Sequence, residues 1–235
     1  MKKTTYQGVT TLEVLEGADN YNRWIAETIK RFAKSPILEL GAGTGNISDY
    51  FLDKKNFLIT EYDLRLVSYL KKKYTSTKHV QILQLDIAQK PSGKLHESFS
   101  TVFAVNVFEH IKDDEVALKN AHRLLKKNGR IIILVPAKKF AYTRLDKNLG
   151  HYRRYEKQEL KNKLEEAGFT VEKIYFFNIV GLLSWIIRDK VEKQNMQLDR
   201  SQIALFDKIV PLLRSIESVV PIPIGISFIA VARKI

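Results

Sequence analysis

Short apolar runs alternate with amphipathic stretches along most of this chain. Ile37-Leu38-Glu39-Leu40, Phe57–Thr60, Val80–Leu85, Thr101–Val105 and Arg130–Val135 read as strands. Between them, segments near Asn46–Leu52, Leu64–Tyr74 and Asp114–Leu125 carry apolar residues at helical spacing. A further helix is predicted near Lys157–Ala167, stopped by Gly168, which suits a left-handed cap. Strands near Val171–Phe177 and Gly225–Ala232 close the pattern. Upstream, Thr11 to Ala33 reads as helical, with Asp19 or Asn20 available to cap a helix through Tyr21, Trp24 and Ile25. Strands alternating with helices predict parallel crossovers and an α/β, doubly wound sheet. Ligands of such sheets bind at the carboxyl ends of the strands, where Gly41, Glu61, Asp86 and Asn106 fall.

The first strand runs into Gly41-Ala42-Gly43-Thr44-Gly45, and the second ends in the acid Glu61. Glycines serve where the backbone must turn sharply against a ligand with no Cβ in the way. An acid at the second strand tip suits a ribose diol. A dinucleotide site wants G-x-G-x-x-G with a helix N-terminus aimed at a pyrophosphate. Here the third glycine comes one residue early, and Glu39 stands near where a pyrophosphate would lie. Like charges repel, whereas a cationic amine and a sulfonium would be attracted by that carboxylate. The physical reading therefore favours S-adenosylmethionine over NAD.

Glu39-Leu-Gly-Ala-Gly-Thr-Gly45 resembles motif I of the class I S-adenosylmethionine-dependent methyltransferases, and Glu61 matches their ribose-binding acid. Ile82–Ile87 is similar to their third strand, whose terminal acid, here Asp86, meets the adenine amino group. Phe103–Ile111 is similar to the fourth-strand segment. Arg123–Ile133 resembles the R-x-L-x-x-G-G turn before the fifth strand, with Asn128 where the family usually has a glycine. Asn tolerates the left-handed turn nearly as well. The resemblance spans roughly residues 36 to 136. It implies a seven-stranded, mostly parallel Rossmann-like methyltransferase sheet with an antiparallel last strand and a helical insert before it. The candidate cofactor-binding set is Glu39, Gly41, Ala42, Gly43, Gly45, Glu61, Tyr62, Asp86, Ile87, Asn106 and Val107, with Tyr21 and Trp24 of the leading helix as a cover over the ligand, against core packing as their plainer fate. One domain, 1–235, is expected: a helical cover (1–35), a cofactor-binding core (36–136), and a substrate loop, helical lid (178–223) and edge strands (137–235).

The loop Leu145-Asp146-Lys-Asn-Leu-Gly-His151-Tyr-Arg153-Arg154-Tyr155 gathers ionisable side chains beyond the fifth strand. It resembles a D-x-x-x-G-H-x-R-R-Y stretch of bacterial methyltransferases of small-molecule, glycan and lipid pathways. Arg153 and Arg154 suit a fork for a carboxylate or phosphate. His151, with an ordinary pKa of about 6.5, suits proton removal from a nucleophile. His110 is the second candidate base. The catalytic candidates are thus His151, His110, Arg154, Asp146 and Tyr155, against the plainer reading that Asp146 pairs with an Arg to pin the loop. No metal-ligand set is assigned, and the absence of cysteine excludes thiolate metal sites and disulfides.

The 235 residues, 45% hydrophobic, suffice for a sheet covered on both faces. No apolar leader follows Met1-Lys2-Lys3-Thr4-Thr5-Tyr6, so a cytoplasmic enzyme is expected. The net charge of +13 favours polyanionic partners. The lysines fall in short dispersed runs, however, and no aromatic platform interleaves with them. Three functional classes follow. The leading one is methyl transfer, with O-methylation expected, to a small molecule or a lipid- or glycan-linked acceptor. The second is RNA methylation, suggested by charge and by Glu61-Tyr62-Asp63, which resembles the second strand of rRNA adenine dimethylases. Against it, the fourth-strand segment reads Asn-Val-Phe-Glu where exocyclic N-methylation wants Asn-Pro-Pro-Tyr. The third is a non-catalytic cofactor-binding regulator. The insert suits a helical lid, a dimer surface or peripheral membrane contact, the last through Trp185 with Arg188 and Lys190, and a monomer or homodimer is expected. The insert's apolar run is short of the ~20 residues needed to span a bilayer.

Overall fold

The apolar runs pair into one sheet in the computed structural model, which describes residues 17–179, 181, 200–219 and 223–235. Its strands are β1 (Ile37–Leu40), β2 (Phe57–Glu61), β3 (Val80–Gln84), β4 (Phe99–Val105), β5 (Leu125–Pro136), β6 (Phe169–Phe177) and β7 (Ser227–Lys234). They lie in the order β3-β2-β1-β4-β5-β7-β6. The first five run parallel, and β7 inserts antiparallel between β5 and β6. The helices are α1 (Asp19–Lys30), α2 (Leu64–Lys73), α3 (Asp114–Leu124), α4 (Arg144–Asn148), α5 (Lys157–Glu166) and α6 (Arg200–Val219).

Side chains alternate across the sheet with the period of the pleat. Leu38, Leu40, Ile131, Ile133, Ala230 and Ala232 enter one core layer, with Leu118 and Leu124 of α3 and Leu160 and Leu164 of α5. Ile37, Phe57, Phe103, Ile132, Leu134 and Val231 enter the other, with Ile25 and Ile29 of α1 and Phe51. Burial on both faces explains why β1 and β2 read as nearly unbroken apolar runs. The chain order reverses between β1 and β4, so their carboxyl ends flank a switch-point crevice.

The doubly wound sheet and its antiparallel final strand match the reading of the sequence; several boundaries do not. The helix expected over 46–52 is a 3-10 turn, Ser48–Phe51. Only eleven residues, 46–56, join the glycine turn to β2. A 3-10 turn rises ~2.0 Å per residue against ~1.5 Å for an α-helix, and so covers more of the return path. β5 begins five residues earlier than read, passing through Asn128 in the left-handed conformation. Neither Asp19 nor Asn20 caps α1 through its own side chain: the N-cap position is Ala18. The cap comes instead from Asp207 of α6, whose Oδ2 accepts from Asn20 N (3.1 Å) and Oδ1 from Tyr21 N (2.9 Å). Residues 1–16, Trp185, Arg188 and Lys190, and much of the 178–223 insert lie outside the described residues.

Candidate active site

The glycine turn is built for close approach. Gly41 has φ +65°, and a Cβ there would sit 2.6 Å from Val107 Cγ2, just beyond β4. Gly45 has φ +85°, and a Cβ would sit 2.3 Å from the hydroxyl of Tyr74. That hydroxyl donates to Gly45 O (3.0 Å) and Asp49 Oδ1 (2.8 Å). Lys73 Nζ donates to Thr44 O (3.1 Å) and Asp49 Oδ2 (2.8 Å). The turn is thus clamped from the end of α2, by residues that sequence reasoning missed because they stand some 29 positions away.

Two carboxylates lie on this turn. Glu61 Oε2 accepts from Gly43 N (2.9 Å), and Oε1 from Tyr62 N (2.8 Å) and Asp63 N (3.1 Å). Glu61 therefore faces the turn rather than solvent. Burial raises its pKa, opposed by those three N–H donors. Glu39 is buried with Oε2 accepting from Ser48 Oγ (2.5 Å). Burial pushes its pKa up to about 8 despite that bond, with Asp49 and Glu61 adding to the rise and Lys73 opposing it. Two buried acids beside a turn of three left-handed glycines suit a ligand bearing hydroxyls and positive charge. The adenosyl, amine and sulfonium groups of S-adenosylmethionine fit that description. Ala42 N is held by Thr60 O (3.0 Å). Asn106, at the end of β4, is exposed and left-handed (φ 52°). Asp86 and Tyr62 are exposed at the tips of β3 and β2, whereas Ile87 is buried.

Beyond Val107 the chain makes a 3-10 turn, Phe108–His110, that meets the loop after β5. Tyr152 N donates to Glu109 O (2.8 Å), and the His110 ring bonds the Gly150 backbone. The His110 and His151 rings stand edge to face, 4.6 Å between centroids. Glu109 is 0% exposed, and neither carboxylate oxygen has a hydrogen-bond partner. Burial pushes its pKa up to about 7, opposed chiefly by His151. Burial, reinforced by His151, lowers His110 to about 4, so that its imidazole is neutral. His151 Nδ1 lies 2.8 Å from Asp146 Oδ1.

Several predicted site residues are engaged in contacts within the protein. Asp146 is a buried hub: it accepts from Thr143 N (2.8 Å), Thr143 Oγ1 (3.2 Å), His151 and Arg154 Nε (2.9 Å). Burial alone would raise its pKa, but His151 and Arg154 hold it below the ordinary value. Arg154 is 2% exposed and also reaches Ala137 O (3.2 Å), so it pins the loop rather than offering a fork to an acceptor. Tyr155 is buried and donates to Asp114 Oδ2 (2.8 Å). Arg153 pairs with Asp114 and donates to Lys112 O (2.6 Å). Both arginines are paired with acids, as the plainer reading of the loop expects of a guanidinium shielded from water. Trp24 is a core side chain, its ring 4.2 Å from that of Phe177. Tyr21 packs beside it against Phe177 and Phe206, and burial pushes its phenol up to about 12. Glu109 is the residue that sequence reasoning placed only within a motif.

A family profile described as a methyltransferase domain matches residues 15–174. A highly reducing polyketide synthase of Pyrenophora dematioidea is 30% identical over 119 residues, 46% of this chain but 5% of that protein. The chain thus spans only a small part of such curated relatives. Among solved structures, an S-adenosylmethionine-dependent methyltransferase from Thermotoga maritima superposes with TM-score 0.62 at 17% identity, covering 96% of this chain and 94% of that one. The CurJ carbon methyltransferase superposes with TM-score 0.56 at 17% identity, covering 84% of this chain and 47% of that one. With glycine turn, strand-tip acids, sheet order and family profile in agreement, the chain belongs to the methyltransferase-domain family and carries the class I methyltransferase fold.

Proposed function

We propose that this chain methylates a hydroxyl of a small molecule or of a lipid- or glycan-linked acceptor, with His151 governing loss of the acceptor's proton. The observation that carries this reading is the placement of His151. It is oriented by buried Asp146 and stands beside Glu109 and His110, whose turn begins at Val107, the side chain that a Cβ on Gly41 would meet. Bound S-adenosylmethionine supplies an electrophilic methyl group on a cationic sulfur. The protein must therefore align a nucleophile with that group and manage one proton. Gly41, Gly43, Gly45, Glu39 and Glu61 are assigned to holding the cofactor, with Asn106, Asp86 and Tyr62 at its rim. Asp146 is a positioning residue. Its low pKa keeps it ionised, so it takes the Nδ1–H of His151 and leaves the Nε2 lone pair for chemistry.

A lipid-linked acceptor is supported by Leu205, Ile209, Leu212 and Ile216, which recur at three- and four-residue intervals along α6 and are exposed. Among the described residues no helix is long and apolar enough to cross a membrane. Carbon methylation is a second reading, favoured by the likeness to a carbon methyltransferase, and it needs the same proton removal.

His151→Ala should lower kcat by about 10²–10⁴-fold with cofactor Kd changed little. Equal turnover of variant and wild type on the true acceptor, found by labelling fractionated extracts with methyl-labelled cofactor, would remove His151 from the chemistry. Label in RNA, with binding that falls steeply as salt rises, would replace the acceptor class altogether.

A further inference from the structure

We propose that Glu109, His110 and His151 bind a divalent transition-metal cation of the zinc type, placed to take the acceptor's hydroxyl as a further ligand. One ligand atom from each residue lies within 4.8 Å of the others. A tetrahedral ion at ~2.1 Å spaces its ligands by about 3.4 Å, within reach of small side-chain rotations. Two imidazoles and one carboxylate are a donor set for zinc and its first-row neighbours rather than for magnesium or calcium, which take oxygen.

Glu109 is the independent observation. A carboxylate with no exposed surface and no hydrogen-bond partner on either oxygen is costly, and a bound cation is the group that would match it. The surroundings suit ligation as well. Metal-bound histidines commonly donate their second ring N–H to a carboxylate or backbone carbonyl. Here His151 Nδ1 is 2.8 Å from Asp146, itself fixed by Arg154, and the His110 ring bonds the Gly150 backbone. Three protein ligands leave a fourth position for a water or a substrate oxygen.

This inference rests on the methyl-transfer reading and deepens it, because His151 then acts on the proton through the ion. The coordinated hydroxyl loses its proton to water and its oxygen keeps the electron pair. That pair forms the bond to the methyl carbon as the carbon–sulfur bond breaks and its electrons remain on sulfur. The acceptor class narrows to molecules whose reacting oxygen can ligate a metal.

The test is titration of the untagged, EDTA-treated full chain with Co²⁺, read by visible absorption, and with Zn²⁺, read by calorimetry. One saturable equivalent is expected, with a rise in melting temperature. Glu109→Gln and His110→Ala should each weaken binding by at least the ~10–100-fold that loss of an outer-shell partner costs. Glu109→Gln relieves a buried carboxylate, so it is expected to fold, which near-UV circular dichroism checks. No saturable equivalent in the wild type, or unchanged affinity in folded Glu109→Gln, overturns the site. Methyl transfer to a hydroxyl that persists in EDTA after the metal is shown to be removed sinks the ion's role and leaves the methyltransferase reading intact. Stoichiometric binding in a protein that methylates no hydroxyl keeps the site and overturns that reading.

Discussion

Glu39 lies where charge and burial oppose each other most directly. Its folded pKa of about 8 stands well above the ordinary carboxylate value of 4.5, chiefly because the group is buried. A raised folded pKa means that the native state keeps a proton which the unfolded chain has already lost. Glu39's contribution to stability is therefore whole below about pH 4.5 and is lost as pH rises toward 8. Glu39→Gln should flatten that decline in the cofactor-free protein, seen by urea denaturation at pH 5 and pH 8. Cofactor binding should act the other way, since a cationic amine favours the ionised acid. At pH 7, calorimetry in buffers of different ionisation enthalpy should record release of about one proton per site. No proton release would mean that the amine is not held by Glu39. The glycine turn, Glu39 and Glu61 were all legible as residues, because the motif states which positions must lack a Cβ and which must carry charge. Glu109 was not, because its significance is the absence of a partner, which only packing reveals.

Among the elements, α1 and the loop after β5 differ from their sequence reading for one reason: their polar partners come from far along the chain. Asp207 meets Asn20 and Tyr21 across more than 180 positions, and Arg214 joins the same contact through Glu27 (2.5 Å). α6 thereby fixes the start of α1, while its Glu217 accepts from Asn178 N (3.1 Å) and Ile179 N (2.9 Å). Asp207→Ala should destabilise the protein by about 1 kcal/mol in urea titration, the scale of a lost N-cap. A change near zero would mean that water caps α1 equally well. The helix lengths of α2, α3 and α5 were readable to within a residue or two, since their apolar spacing is local. The 3-10 turn at Ser48–Phe51 was not, because it answers to the distance between two strand ends.

For the whole molecule, the buried ion pairs set the response to acid. Asp146 and Asp114 are both held below the ordinary carboxylate range: burial pushes each upward, and His151 with Arg154, or Lys163 with Tyr155 and Arg153, outweighs it. A lowered folded pKa contributes stability above the ordinary value, and that stability is lost as pH falls through the folded one. Melting temperature should therefore drop on acidification below about pH 4. Asp146→Asn should lose about 3–5 kcal/mol at neutral pH, because it leaves Arg154 buried without its counter-charge. A melting temperature within a degree or two of wild type would show that Arg154 finds another partner. Periodicity and Cβ-free positions are local properties of a chain, so the doubly wound sheet, the glycine turn and the acids on it could be read from the residues. Packing alone chose which charges of the Asp146–Tyr155 loop pair with one another. It also brought His151 to Glu109 and His110, some 40 positions earlier, since partners that far apart are chosen by packing and by the exclusion of water.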